Sequence, residues 1–138
     1  MKYNLIMIDD DELFLVLNKR EVKKSRFHAE PILFSNGQDG LDWMSKQTEQ
    51  SLATLIFLDI NMPEIDAWKF IKLLKELPIK ILYKIVLVSS SIDPNDKQKS
   101  KEYKEIIDYL EKPLSRSSFE QLNSNVSFIN FTNQITSL

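Results

Sequence analysis

Five short apolar runs, spaced by about one strand plus one helix, constrain this chain more than any other feature. They read "NLIMI", "AEPILF", "TLIFL", "KIVLV" and "IIDYL", and they end at Ile8, Phe34, Leu58, Val88 and Leu110. Successive ends are therefore 26, 24, 30 and 22 residues apart, close to the ~30 residues of a strand–helix–strand unit. The first, third and fourth runs are almost uninterrupted, as parallel strands covered on both faces should be. Their alternation with amphipathic segments predicts a doubly wound α/β sheet of five strands and five helices.

The intervening segments carry helical signals. Leu13, Val16, Leu17 and Arg20 recur at helical spacing between about residues 12 and 24, and Leu41 and Met44 follow the turn pair Asn36-Gly37. Phe70, Ile71, Leu74 and Leu77 form one stripe that stops at Pro78, which cannot extend a helix. After Lys112-Pro113, Ser115 is the expected cap of "SRSSFEQL". Phe119, Leu122, Val126 and Ile129 would continue that stripe. The expected division is a domain over residues 1–125 and a C-terminal helix extension or frayed tail over 126–138, preferred to a partner-binding tail.

Size and composition narrow the functional classes. The 138 residues suffice for one compact domain, and 43% hydrophobic with 28% charged residues is a globular balance. With 18 basic against 20 acidic residues the net charge is −2, which gives no electrostatic case for direct nucleic-acid binding. No apolar run approaches the ~18–20 residues of a membrane span, and no export signal opens the chain, so the cytoplasm is the expected location. Without cysteine there is no disulfide, thiol nucleophile or thiolate metal site.

In an open parallel sheet, ligands bind beyond the carboxyl ends of the strands. The first run is followed by Asp9 and Asp10, the third by Asp59 and then "INMP", and the fourth by Ser89, Ser90 and Ser91. The fifth contains Tyr109 and leads to Lys112. Three carboxylates, a hydroxyl and an ammonium thus converge on one sheet edge. Asp9, Asp10 and Asp59 carry −3, which a divalent cation and Lys112 together would neutralise. Oxygen donors without His or Cys favour magnesium. A carboxylate beside such a cation can attack phosphorus, and a hydroxyl and an ammonium can follow the transferred oxygens. Asp11 and Glu12, by contrast, read as the start of the next helix.

The pieces "IDDD", "LDINMPEIDA", "VSSS" and "YLEKP", in this order and with these gaps, resemble the response-regulator receiver domain of two-component signalling over about residues 3–125. That resemblance implies a flavodoxin-like strand order 2-1-3-4-5. It implies Asp59 as phosphoacceptor and Asp10 as a direct magnesium ligand, with Asp9 binding the metal mainly through water. The Asn61 backbone carbonyl would complete the protein's ligands. Ser89 corresponds to the hydroxyl that follows the phosphoryl group, Lys112 to the invariant ammonium, and Tyr109 to an aromatic that turns inward on switching. Pro113 matches a proline that is often cis.

The implied partners are a sensor histidine kinase or histidine phosphotransfer protein and a downstream protein target. The chain would act as a monomer or a phosphorylation-dependent homodimer, without membrane or nucleic-acid contact. It would be no enzyme beyond its own phosphorylation and dephosphorylation. Little room remains after about residue 125 for an output domain, so output is expected through protein contacts at the fourth helix, fifth strand and fifth helix, or through phosphorelay.

Two departures stand out: Ala67 where the family usually has Gly, which predicts an altered turn, and Ser90 where a small residue borders the site. Rival readings are a receiver-like module that is never phosphorylated and a haloacid-dehalogenase-type phosphatase. The latter wants an Asp where Asn61 stands. His28 has no partner in sequence, Trp43 and Trp68 read as packing or surface anchors, and Lys97, Lys101 and Lys104 read as a solvated helical face.

Overall fold

The computed structural model describes residues 2–90 and 93–136, so Ser91 and the last two residues of the expected tail lie outside it. Strands β1 (Tyr3–Ile8), β2 (Ile32–Phe34), β3 (Ala53–Asp59), β4 (Tyr83–Ser89) and β5 (Ile106–Glu111) form one parallel sheet in the order β2-β1-β3-β4-β5. This is the flavodoxin-like order. The helices are α1 (Glu12–Lys24), α2 (Gly37–Ser45), α3 (Ala67–Glu76), α4 (Pro94–Ser100), α5 (Arg116–Asn123) and α6 (Val126–Thr136). Among the described residues six are thus seen where five were expected.

Strand periodicity sorts the core into two layers. Leu5, Met7, Leu55, Phe57, Val86 and Val88 pack with Leu15 and Val22 of α1, Phe119 and Leu122 of α5, and Phe128 and Phe131 of α6. Ile6, Ile8, Ile56, Leu58, Ile85 and Leu87 pack with Leu41 and Met44 of α2 and Phe70, Ile71 and Leu74 of α3. Local signals end the helices where they should: α3 stops at Glu76 before Pro78, and Ser115 caps α5 in a reciprocal box with Ser118. At Gly40, α2 lies so close to β1 that an added Cβ would sit 2.5 Å from Ile8 Cδ1.

Two helical faces differ from expectation. In α1 the buried residues are Leu15, Asn18 and Val22, whereas Leu13 is 67% exposed and Val16 and Leu17 are also exposed. The apolar run from Leu13 to Leu17 offers two stripes, and the one that faces the sheet contains a polar residue. Asn18 is tolerated there because its Oδ1 accepts the Leu114 N–H at 3.2 Å.

The C-terminal stripe also shifts. Ser124 terminates α5, and Asn125 restarts the chain as α6. Its Nδ2 donates to the Ile107 carbonyl at 2.8 Å, and its Oδ1 accepts the Phe128 N–H at 3.1 Å. The new phase buries Phe128 and Phe131 and exposes Val126 and Ile129. The Phe27 ring lies tilted against Phe119 at 4.9 Å and Phe128 at 5.6 Å, and Tyr3 meets Phe131 edge-on at 5.6 Å.

His28, assigned no role from sequence, is a satisfied core residue. Its Nε2 is 2.9 Å from the Tyr3 carbonyl oxygen, and its Nδ1 accepts the Glu30 N–H.

Phe131→Ala should lower unfolding free energy by about 3–5 kcal/mol in urea titrations, as for other buried aromatics, while Val126→Ala should stay within about 0.5 kcal/mol. The reverse ranking would contradict this placement of α6.

Candidate functional site

Parallel strands bring their carboxyl ends to one edge, and the polar residues there follow from where each apolar run stops. Asp9 and Asp10 come directly after β1, Asp59 and Ser89 are the last residues of β3 and β4, and Lys112 comes directly after β5. Register aligns them: Ile8 lies opposite Leu58, Asp59 opposite Val88, and Ser89 opposite Glu111. The Lys112 N–H extends the last pairing by donating to the Ser89 carbonyl at 2.7 Å.

The Lys112 ammonium bridges two of the acids, 2.6 Å from Asp9 Oδ2 and 3.1 Å from Asp59 Oδ1. Its side chain is only 6% exposed, and Asp9, Asp59 and Ser89 are buried with it. The other Asp9 oxygen accepts the Asp11 N–H at 2.9 Å. Asp11 itself caps α1 by accepting the Leu13 and Phe14 N–H groups, and Glu12 occupies the first turn. The four-acid run therefore divides, with Asp9 and Asp10 at the sheet edge and Asp11 and Glu12 at the helix start.

Electrostatics at this edge are unbalanced. Burial first, and the Asp9 charge second, push the Asp59 carboxyl up to about 7, against the opposing pull of Lys112. Burial alone would lower the Lys112 ammonium, but its hydrogen bonds to Asp9 and Asp59 and their charges outweigh that and raise it. It stays a cation. Asp9, Asp10 and Asp59 each offer a carboxylate oxygen, all within 4.8 Å of one another. Three hard oxygen donors carrying more negative charge than one lysine can offset fit magnesium.

Asn61 lies exposed in the β3–α3 loop two residues past Asp59. Tyr109 is already buried within the layer formed with α2 and α3, so its ring does not start from an exposed position. Ser90 is exposed beside Ser89.

The expected distortion at Ala67 is absent. The left-handed residue of the loop is Glu64, with φ 64°, while Ala67 begins α3 and donates its N–H to the Ile60 carbonyl at 3.0 Å. The glycine-like conformation is carried three residues earlier, and the alanine is unstrained.

Trp68 stacks on Tyr103 at 5.7 Å, Lys99 Nζ lies 4.6 Å from the Trp68 ring centroid, and Trp43 leans on Phe34. Both are anchors. Lys97, Lys101 and Lys104 are exposed, but α4 ends at Ser100, so Lys104 is not on its face.

Two residues near the site carried no site signal in sequence. The Phe14 ring centroid is 4.9 Å from Lys112 Nζ. Asn18, one turn further along α1, binds the backbone just past Lys112. A polar residue inside a core-facing stripe was the available clue to Asn18; nothing local marked Phe14.

The family model of the response regulator receiver domain matches residues 5–123. A response regulator receiver protein from Dyadobacter fermentans superposes with TM-score 0.78 at 24% identity, covering 87% of this chain and 94% of its own. A two-component response regulator from Cytophaga hutchinsonii gives 0.77 at 25%, covering 99% and 98%. A CheY-like receiver domain protein from Methanospirillum hungatei gives 0.63 at 19%, covering 100% of both. No curated protein sequence matches. The structural likeness carries the fold, and the family match over most of the chain carries membership: this chain belongs to the response regulator receiver family.

Proposed function

We propose that this protein is a switchable signalling receiver in which Asp59 accepts a phosphoryl group from the phosphohistidine of a sensor kinase or phosphotransfer protein. The observation that carries the reading is the Lys112 ammonium held between Asp9 and Asp59 beside Ser89, at the carboxyl edge of the sheet. An Asp59 carboxylate oxygen attacks phosphorus, the donor's P–N bond breaks, and its electron pair returns to the imidazole nitrogen. Asp9, Asp10, Asp59 and the Asn61 carbonyl would hold magnesium, whose positive charge offsets that on the transferring oxygens.

Lys112 lies within reach of both Asp9 and Asp59, so it supplies an ammonium to a group newly attached at Asp59. Ser89 offers a hydroxyl from the adjoining strand end. The added charge of about −1.5 to −2 then biases the loop after β4 and the α4–β5–α5 face toward a second packing. Tyr109 takes part from its buried position. A downstream protein reads that face, or the phosphoryl group passes to another carrier.

Incubation with a small phosphodonor such as acetyl phosphate should add one phosphoryl mass to the intact protein only when magnesium is present. Asp59→Asn should abolish it, and Lys112→Ala should slow it by about 10²-fold or more. Magnesium-dependent labelling that survives Asp59→Asn overturns the reading. Steady release of phosphate from small esters would favour phosphatase chemistry instead.

The raised Asp59 value sets a pH dependence with a definite sign. Between the ordinary value of 3.8 and about 7 the folded protein holds a proton that the unfolded chain has lost. Metal-free stability therefore falls through this group as pH rises across that window, and the loss is complete above it. In thermal melts with chelator, Asp59→Asn should raise Tm more at pH 8 than at pH 5. A larger gain at pH 5 would contradict the assignment.

A further inference from the structure

We propose that Phe14 and Asn18, four residues apart on one face of α1, are positioning residues for Lys112. Resting on the reading of Asp59 as phosphoacceptor, the inference adds that α1 governs how fast Lys112 can serve the transferring group.

The backbone that delivers Lys112 is tied down on both sides. Its own N–H donates to the Ser89 carbonyl, and the Leu114 N–H donates to Asn18 Oδ1 at 3.2 Å. Pro113 between them has no N–H to offer, so these two bonds anchor the turn, one to β4 and one to α1. Asn18 is 3% exposed on a face otherwise formed by Leu15 and Val22. A buried amide is costly without a partner, and here its partner is the buried Leu114 backbone, 96 residues away in sequence. Replacing Asn18 by an apolar residue would free the turn and orphan that N–H. Asn18, Asp9 and Asp59 also line the same small cavity beneath the acids, of about 10 Å³, room for about one water.

Phe14 acts on the other end of the same side chain. A lysine ammonium has three N–H donors, and Asp9 and Asp59 account for two contacts. The ring face of Phe14, 4.9 Å from Nζ, supplies a third. An aromatic face attracts a cation without fixing it in one hydrogen-bond direction. The ammonium can therefore leave Asp9 for a phosphoryl oxygen on Asp59 while keeping its contact with the ring. A carboxylate or carbonyl in place of the ring would hold it back, and an open position would let water compete for it.

The test follows magnesium-dependent labelling by acetyl phosphate in the full chain. Phe14→Leu keeps apolar bulk and loses the ring face. It should slow labelling about two- to thirtyfold, with magnesium affinity unchanged, and Phe14→Tyr should restore the rate. Asn18→Leu should slow labelling in the same way, while Asn18→Asp, which keeps the acceptor, should recover part of it. The deciding comparison is made in Lys112→Ala, where Phe14→Leu should have no further effect.

Equal slowing with and without Lys112, or a wild-type rate in Phe14→Leu, overturns the proposal while leaving Asp59 as acceptor. If Asn18→Leu does not fold, the Phe14 pair and Asn18→Asp still decide it. Wild-type protein that takes no label overturns the Asp59 reading and this assignment together.

Discussion

The geometry of the functional edge depends on the Lys112 ammonium, 2.6 Å from Asp9 and 3.1 Å from Asp59. Parallel strands that end in carboxylates gather like charges in a place where burial makes them costly. One buried cation joins two of the three and leaves the cluster at −2. Burial first and the Asp9 charge second push Asp59 up to about 7, and the three clustered carboxylate oxygens could hold a divalent cation. Removing Lys112 would strand Asp9 and Asp59 as buried acids without a cation, a loss of about 3–5 kcal/mol in comparable sites. Lys112 is therefore a structural residue of the edge in its own right.

Everything else in the fold places that lysine and its partners. The sheet order seats β1 and β4 on either side of β3, so Asp59 falls between Asp9 and Ser89. The β5–α5 turn reaches the site because β4 and α1 hold it from two directions. In the core layer shared with α1 and α5, α6 contributes Phe128 and Phe131.

The strand ends were legible because a buried run must stop where polar residues begin, and here those polar residues form the candidate site: Asp9, Asp59, Ser89 and Lys112. Caps were legible for a similar local reason, as Asp11 and Ser115 illustrate. The face of α1 was not, because its true core stripe contains Asn18, whose partner Leu114 is distant in sequence. The restart at Asn125 was hidden for the same reason: its amide is held by the Ile107 carbonyl, and the half-turn change of phase moves burial from Val126 and Ile129 to Phe128 and Phe131. Ala67 misled because a substitution away from glycine signals strain only if the left-handed residue is that one, and here it is Glu64. The contact of Phe14 with Lys112 depends on tertiary approach alone.

The central claim is that Asp59, and no other carboxylate at this edge, becomes the phosphoryl carrier. Borohydride reduction of the labelled protein converts an acyl phosphate to the corresponding alcohol, and peptide sequencing by mass spectrometry then locates it. The account predicts homoserine in place of Asp59 alone. Homoserine in place of Asp9 or Asp10, or a label that resists reduction, would contradict it.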